Sequence, residues 1–320
     1  MASGASVILH PDNPEIHSVS QFNHLAHLSG SVTLGVRDAL FTADQLIRHG
    51  CYDRACRVID SVAACGYRNE TLNRRLEMLA KAAEQVRAIA GLDAVLTDSC
   101  MVKKLLSFRS CILGAGGAPN RLVIVYSTAW NNFDISFPFL HGLIASRADC
   151  IVYVKNPRRG MYATGNDLYG SSIDEMSSSI CGLIADMKPS RVTVLGFSGG
   201  GYAALHLAAK AGADAFLGLG IRTDLSKNSA FANIPGRTAP RESDYINNTL
   251  VNMRDVPEIA GIQRAVLYFG ERDASDREHA QNMTGLPNFS IYGVQQGSHN
   301  LVMDFLVRGQ LQSVLYNVLD

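Results

Sequence analysis

RVTVLGFSGGGYAALHLAAKA, residues 191–211, decides how the chain is read. A β-branched apolar run breaks at Gly196-Phe197-Ser198-Gly199-Gly200 and resumes as an alanine-rich helical pattern, so a G-x-S-x-G sits between a strand and a helix. A serine on so sharp a turn is held in a strained backbone conformation, and flanking glycines remove the side chains that would collide there. Its hydroxyl stands clear of the sheet. The amide of Gly199 and the unpaired N–H groups of the helix start can face an oxyanion on a carbonyl bound to Ser198.

A dinucleotide fingerprint is the rival reading of the same glycines. It needs G-x-G-x-x-G, and Ser198 stands where the second glycine belongs, with no obvious acidic ribose ligand ending a following strand. A second cluster, Gly114-Ala115-Gly116-Gly117, runs into Ala118-Pro119-Asn120 and another strand, which is a turn signal. No nucleotide, other cofactor or metal is implied.

Outward from this stretch, 320 residues with 47% apolar and 18% charged content describe a globular chain with one large domain and a small one. Basic and acidic residues balance at 29 each, so nothing advertises nucleic acid as a partner. No apolar stretch reaches membrane-spanning length, and the start, MASGASVILHPDNPE, lacks the build of a secretory signal; a cytoplasmic location is expected. Seven cysteines without a CxxC pair fit reduced, mostly buried thiols.

Residues 1–35 carry turn formers and scattered histidines without a sustained period and read as an N-terminal arm. Residues 36–92 read as a small helical domain of three antiparallel helices: Thr42-Ala43-Asp44-Gln45 can act as a capping box, Gly50 and Gly66 sit where helices end, and Asn69 opens a long run. The segment HGCYDRACRVIDSVAACG resembles one tetratricopeptide hairpin through Gly50, Tyr52 and Ala55, which implies a protein partner for this domain. Residues 93–320 change texture to short β-rich runs separated by helices, hence an α/β domain with a mostly parallel sheet and helices on both faces. Strands are expected at 106–113, 122–126, 150–154, 192–195, 215–220, 265–269 and 289–294, the first two paired antiparallel through the glycine turn. Helices are expected near 138–146, 172–186, 200–211, 244–252, 276–282 and 301–316, the last broken at Gly309.

Two further groups fall on loops that follow strands, where open α/β sheets gather their sites. After AVLYF the chain reads Gly270-Glu271-Arg272-Asp273-Ala274-Ser275-Asp276. A carboxylate there can accept a hydrogen bond from imidazole, fixing its tautomer and stabilising the imidazolium. The reading gives that role to Asp273 and makes Asp276 the cap of the next helix. After FSIYGV the loop Gln295-Gln296-Gly297-Ser298 delivers His299, whose imidazole can take the serine proton and return it to a leaving group. A lone histidine is more often structural, and His206 on the helix behind the turn is read as core. The order Ser198, Asp273, His299, each just after a strand, separates His299 from the rest.

These residues resemble the α/β-hydrolase superfamily in triad order, in G-x-S-x-G-G-Y-A-A over 196–204, in the G-x-x-D run 270–273 and in the G-x-H run 297–299. The resemblance covers about 110–320. More narrowly, the VIVYS strand, the KNPRRGMYATG loop and the turn at Ser198 are similar to α/β-hydrolase-like proteins of bacterial surface-glycan and glycoprotein machinery, some of them acyl- or acetyl-transferring. The superfamily often places H-G-G after its third strand as the second oxyanion donor. Here Ser127-Thr128-Ala129-Trp130 stands instead, so the donor is expected to be the amide of Thr128 or Ala129. Asp224 is a rival acid, since some members carry theirs after the preceding strand. Substrate selection falls to the loop with Arg158, Arg159 and Tyr162, to the insertion 222–257, and to Trp130 as pocket wall or core. The two arginines could pair with a carboxylate or phosphate, although adjacent basic residues in a loop are more often simply solvated.

The sequence therefore implies a serine-dependent acyl-transfer enzyme acting on an ester, thioester or related acyl substrate through acyl-Ser198. Transfer to a glycan hydroxyl is the enzymatic alternative, and a catalytically silent scaffold binding a protein partner is the other class.

Overall fold

A computed structural model of the chain describes residues 6–9, 32–64, 70–89, 92–107, 109–114, 118–128, 132–156, 162–166, 168–226 and 250–320. The chain forms two compact units: residues 1–107 with 135–143 and 305–311, and residues 108–134 with 144–304 and 312–320. The expected cut at 92/93 thus runs through the first unit, which also recruits two segments from later in the chain.

In the first unit, β1 (Ser6–Leu9) pairs antiparallel with β2 (Val32–Gly35), a ribbon the sequence reading did not find because four-residue strands carry no measurable period. Helices α1 (Val36–Arg48), α2 (Tyr52–Ala64) and α3 (Glu70–Arg87) follow. Their buried positions, Ala39, Ala43 and Ile47, then Ala55, Ile59 and Val62, then Leu79, Ala83 and Val86, recur at helical spacing and form one apolar face each. Gly50 ends α1 with φ 77°, where a side chain would be strained. The capping box expected at Thr42 is corrected: α1 starts at Val36, and the Thr42 hydroxyl instead bonds back to the Asp38 carbonyl at 2.8 Å. Gly66 and Asn69 lie outside the described residues. Two short helices that the sequence reading did not place follow, α4 (Leu92–Thr97) and α5 (Ser99–Leu106), the latter capped by Asp98 on the Met101 amide; α5 takes in Leu106, the first position of the strand expected at 106–113.

The second unit is built on seven strands: β3 (Cys111–Gly114), β4 (Arg121–Tyr126), β5 (Cys150–Val154), β6 (Arg191–Phe197), β7 (Ala215–Leu219), β8 (Ala265–Gly270) and β9 (Phe289–Val294). Their spatial order is β3-β5-β4-β6-β7-β8-β9, parallel except for β3. The antiparallel strand is correctly anticipated but its partner is β5, not β4. β5 enters between them after its crossover, and a six-residue link reaches across two strand spacings of about 10 Å with chain to spare. The central runs LVIVY, CIVYV and AFLGL are buried at every position, because a parallel sheet is covered on both faces.

In chain order the strands are separated by α6 (Phe137–Ile144), which up to Leu143 belongs to the first unit, and by α7 (Ile173–Met187), α8 (Gly201–Ala211) and α9 (Ala274–Asn282); α10 (Leu301–Val307), whose end from Phe305 belongs to the first unit, and α11 (Leu311–Leu319) close the chain. α10 and α11 part at Gly309, whose φ is 66°. The small face of α8 lets it lie close to β6: a Cβ on Gly196 would come within 2.7 Å of the Ala204 Cβ. The helix expected at 244–252 falls mostly outside the described residues; its last position, Asn252, forms an isolated bridge with Asp224.

Candidate active site

β6 ends at Phe197, and Ser198 takes φ 50°, a left-handed backbone that a non-glycine residue adopts only when its surroundings impose it. The chain then makes one 3₁₀ turn, Ser198–Gly200, and enters α8. Side chains on the turn would not fit: a Cβ on Gly200 would lie 2.1 Å from the Ser127 carbonyl oxygen, and one on Gly201 2.1 Å from the Ile221 Cγ2. Ser198 stays partly exposed at the carboxyl end of the sheet.

His299 is delivered by the tight turn after β9, where Gln296 has φ 56°. Its approach is fixed on three sides. The Arg272 amide donates to the Gly297 carbonyl at 3.0 Å, the Ser298 amide donates to the Asp304 carboxylate at 2.8 Å, and the imidazole stacks on Phe197 with centroids 5.7 Å apart. The ring then lies with Nε2 2.7 Å from the Ser198 Oγ.

The acid is where the expectation and the structure part. The His299 Nδ1 is 2.9 Å from each carboxylate oxygen of Asp276, and the Asp276 side chain is completely buried. Asp273 instead has extended backbone, φ −101° and ψ 105°, and caps α9 by accepting the Asp276 amide at 2.9 Å. The two aspartates have exchanged the roles the sequence suggested. The reason is the helix boundary: α9 begins at Ala274, so the N-cap is Asp273 and Asp276 becomes the third helical residue, whose side chain projects back towards the chain that precedes the helix. Asp224, the rival acid, spends its carboxylate on the Ser226 amide at 2.9 Å.

With a carboxylate on Nδ1, the neutral imidazole carries its proton there and presents the Nε2 lone pair to the serine hydroxyl. Asp273, Asp276 and His299 offer ligand atoms within 4.8 Å of one another, the one such group found among the described residues. Within that group the Asp273 oxygen is engaged in the cap, while the Asp276 and His299 atoms bond one another.

The oxyanion side changes too. The Thr128 amide is not available as expected, because it donates to the Asn132 carbonyl at 2.7 Å. Ala129 and Trp130 lie outside the described residues, as do Arg158 and Arg159. Gly199 follows Ser198 directly on the 3₁₀ turn. Tyr162, expected on a substrate loop, is fully buried with φ 62°; its hydroxyl accepts the Ser127 amide at 3.0 Å, donates to the Val154 carbonyl at 2.7 Å and lies 2.8 Å from the Ser127 Oγ. It is a strut joining the ends of β4 and β5, and burial pushes its phenol above the usual tyrosine range. His206, read as core, is half-buried, between the Ser177 hydroxyl at 3.1 Å and the Asp174 carboxylate at 3.2 Å.

Sequence reasoning missed Gly220 and Arg222, on the loop after β7. Gly220 has φ 54°, and a Cβ there would lie 2.9 Å from the Asp276 Oδ2 and 3.3 Å from the His299 Nδ1. Arg222 places its Nη1 3.0 Å from the Asp276 Oδ1. The signal available was a basic residue just past a strand end, two places before the aspartate that drew attention.

Sheet order, the strained serine between β6 and α8, and the chain order serine, acid, histidine define the class: the fold is that of an α/β-hydrolase. No protein-family model and no curated protein matches the chain. Among solved structures it is similar to the acylaminoacyl peptidase of Pyrococcus horikoshii, at 13% identity and TM-score 0.46 over 65% of this chain and 38% of that one, so the chain spans well under half of the peptidase. It is also similar to MenH from S. aureus, at 12% identity and TM-score 0.41 over 65% of this chain and 100% of that one. A third likeness is to MGS-MChE2, an α/β-hydrolase enzyme from the sediment metagenome of the Mar Chica lagoon, at 15% identity and TM-score 0.42 over 65% and 92% of the two chains. Among the described residues no helix is long and apolar enough to cross a membrane.

Proposed function

We propose that this protein is a serine-dependent acyl-transfer enzyme. The observation that carries the reading is the continuous relay Ser198 Oγ, His299 Nε2, His299 Nδ1, Asp276, at 2.7 and 2.9 Å, ending in a buried carboxylate. Such a relay removes the hydroxyl proton as the oxygen bonds to an acyl carbon, and returns it to the departing alcohol or thiol. His299 is the base and then the acid. Asp276 holds the tautomer and balances the imidazolium. The Gly199 amide stabilises the oxyanion, and Ala129 is the remaining named candidate for the second donor. The acyl group then leaves to water, which is hydrolysis, or to an acceptor hydroxyl, which is transfer.

The test is turnover of ester and thioester donors with and without glycan acceptors, using wild type, Ser198→Ala and His299→Ala. Each variant is expected to lose about 10⁴-fold or more in kcat while keeping its melting temperature, and the double variant to lose little beyond that. Turnover by Ser198→Ala close to wild type would sink the acyl-serine reading.

A further inference from the structure

The acid of the relay is not alone with its histidine. Arg222, 8% exposed at its side chain, faces the Asp276 carboxylate, 0% exposed, and its Nη1 bonds at 3.0 Å to the same oxygen that lies 2.9 Å from the His299 Nδ1. The arginine is held there by its own neighbourhood. Gly220 turns the chain past the Asp276–His299 pair with φ 54°. Next to Arg222, the Thr223 amide donates to the His279 Nδ1 at 3.3 Å, its hydroxyl donates to the His279 carbonyl at 2.7 Å, and Asn282 donates to the Thr223 Oγ1 at 3.0 Å. The loop after β7 is thus tied along α9, the helix that carries the acid.

We propose that Arg222 is a positioning residue that divides the Asp276 charge between two cations and so sets the pH at which His299 becomes available as a base. The inference rests on the reading of His299 as that base. A carboxylate serving one imidazole lends it all its charge and makes it hold its proton strongly. A guanidinium on the same oxygen keeps the carboxylate ionised and oriented, and its positive charge opposes protonation of the ring. The other charged groups facing the histidine are few. Asp273 on the N-terminus of α9 spends a carboxylate oxygen on the cap, and Asp304 on α10 spends one on the Ser298 amide. Glu271, Arg272, Arg277 and Glu278 are exposed, where solvent screens them. His279 accepts the Thr223 amide through Nδ1, a bond the neutral ring makes.

The experiment is an NMR titration of the His299 Cε1–H in the full-length, histidine-labelled protein, assigned with His299→Gln, and set beside the pH profile of kcat/KM. Arg222→Gln should move the His299 midpoint upward by about 1 pH unit or more, and the acid limb of kcat/KM with it, while Arg222→Lys keeps it close to wild type. A role in packing alone would lower kcat without moving the midpoint. Because Arg222→Gln leaves a buried carboxylate without its cation and can fail to fold, the comparison is repeated between Asp276→Asn, which leaves the Arg222 cation without its carboxylate, and Asp276→Asn/Arg222→Gln, in which neither charge is stranded. Removing the arginine in that background should again raise the midpoint. Coincident midpoints within either folded pair, or a downward shift, would overturn the proposal. If the midpoint moves as stated but no acyl donor is turned over, the coupling stands and the acyl-transfer reading fails.

Discussion

Replacing Asp276 by asparagine removes a charge and a hydrogen-bond acceptor from the site while keeping the side chain's volume. When the serine proton moves to His299, the imidazolium forms 2.9 Å from the Asp276 oxygens, inside a carboxylate with no exposure. At an effective dielectric of about 20 and a charge separation of about 4 Å, that pair contributes roughly 4 kcal/mol. Losing it corresponds to about 10³-fold in rate, and the amide's ability to hold the wrong tautomer extends the loss towards about 10⁴-fold. Asp273→Asn should leave kcat within a few-fold, because asparagine caps a helix as well as aspartate does, and Asp273→Ala should cost about 1 kcal/mol of stability through the lost cap on the Asp276 amide. The assay is hydrolysis of an activated ester by the three variants beside thermal unfolding. A large kinetic loss in Asp273→Asn with Asp276→Asn still active would refute the assignment of the acid.

Gly220→Ala should lose more than about tenfold in kcat and roughly 1 kcal/mol of stability, since the new Cβ would meet the Asp276 Oδ2 at 2.9 Å on a backbone with φ 54°; steady-state kinetics and melting read both. Lys155 is fully buried, and burial lowers its ammonium pKa from the ordinary 10.5 to about 8. The unfolded chain therefore takes up this proton first as pH falls, and stability drops between about pH 10.5 and 8 and is level below. Lys155→Met should remove that slope relative to wild type in urea unfolding; parallel curves across the window would count against it. A chain starting at residue 93 strips α1 to α3 from segments that rely on them, because the Ser136 amide bonds the Arg48 carbonyl at 2.8 Å and Gly309 approaches the Gln85 side chain. It should be insoluble or unfold without cooperativity, and a soluble, cooperative product would contradict that.

Much of this was legible in the sequence, and the gaps have physical causes. The strands β4 to β8 announced themselves because a doubly covered sheet writes largely apolar runs, β9 at the sheet edge by its β-branched and aromatic residues despite its exposure, and Ser198 and His299 because each follows a strand on a glycine-containing turn. The acid was misplaced by three residues, since a cap and a third helical position differ only in where the helix starts, and sequence fixes helix ends to no better than a turn. The pairing of β3 with β5 was hidden, because a strand's partner depends on crossovers rather than on its own residues. Thr128 failed as a donor for a tertiary reason: its amide closes a turn onto Asn132. Arg222 was invisible because a buried cation looks like a surface one until its carboxylate is seen.

The central claim is that Ser198 is a nucleophile, and an active-site-directed fluorophosphonate tests it most directly, because it needs no knowledge of the substrate. Digestion and mass analysis of the labelled wild-type protein should show one adduct, on the peptide carrying Ser198, absent from Ser198→Ala and formed far more slowly in His299→Ala. Unlabelled wild type, or an adduct on another residue with Ser198 untouched, would contradict the account.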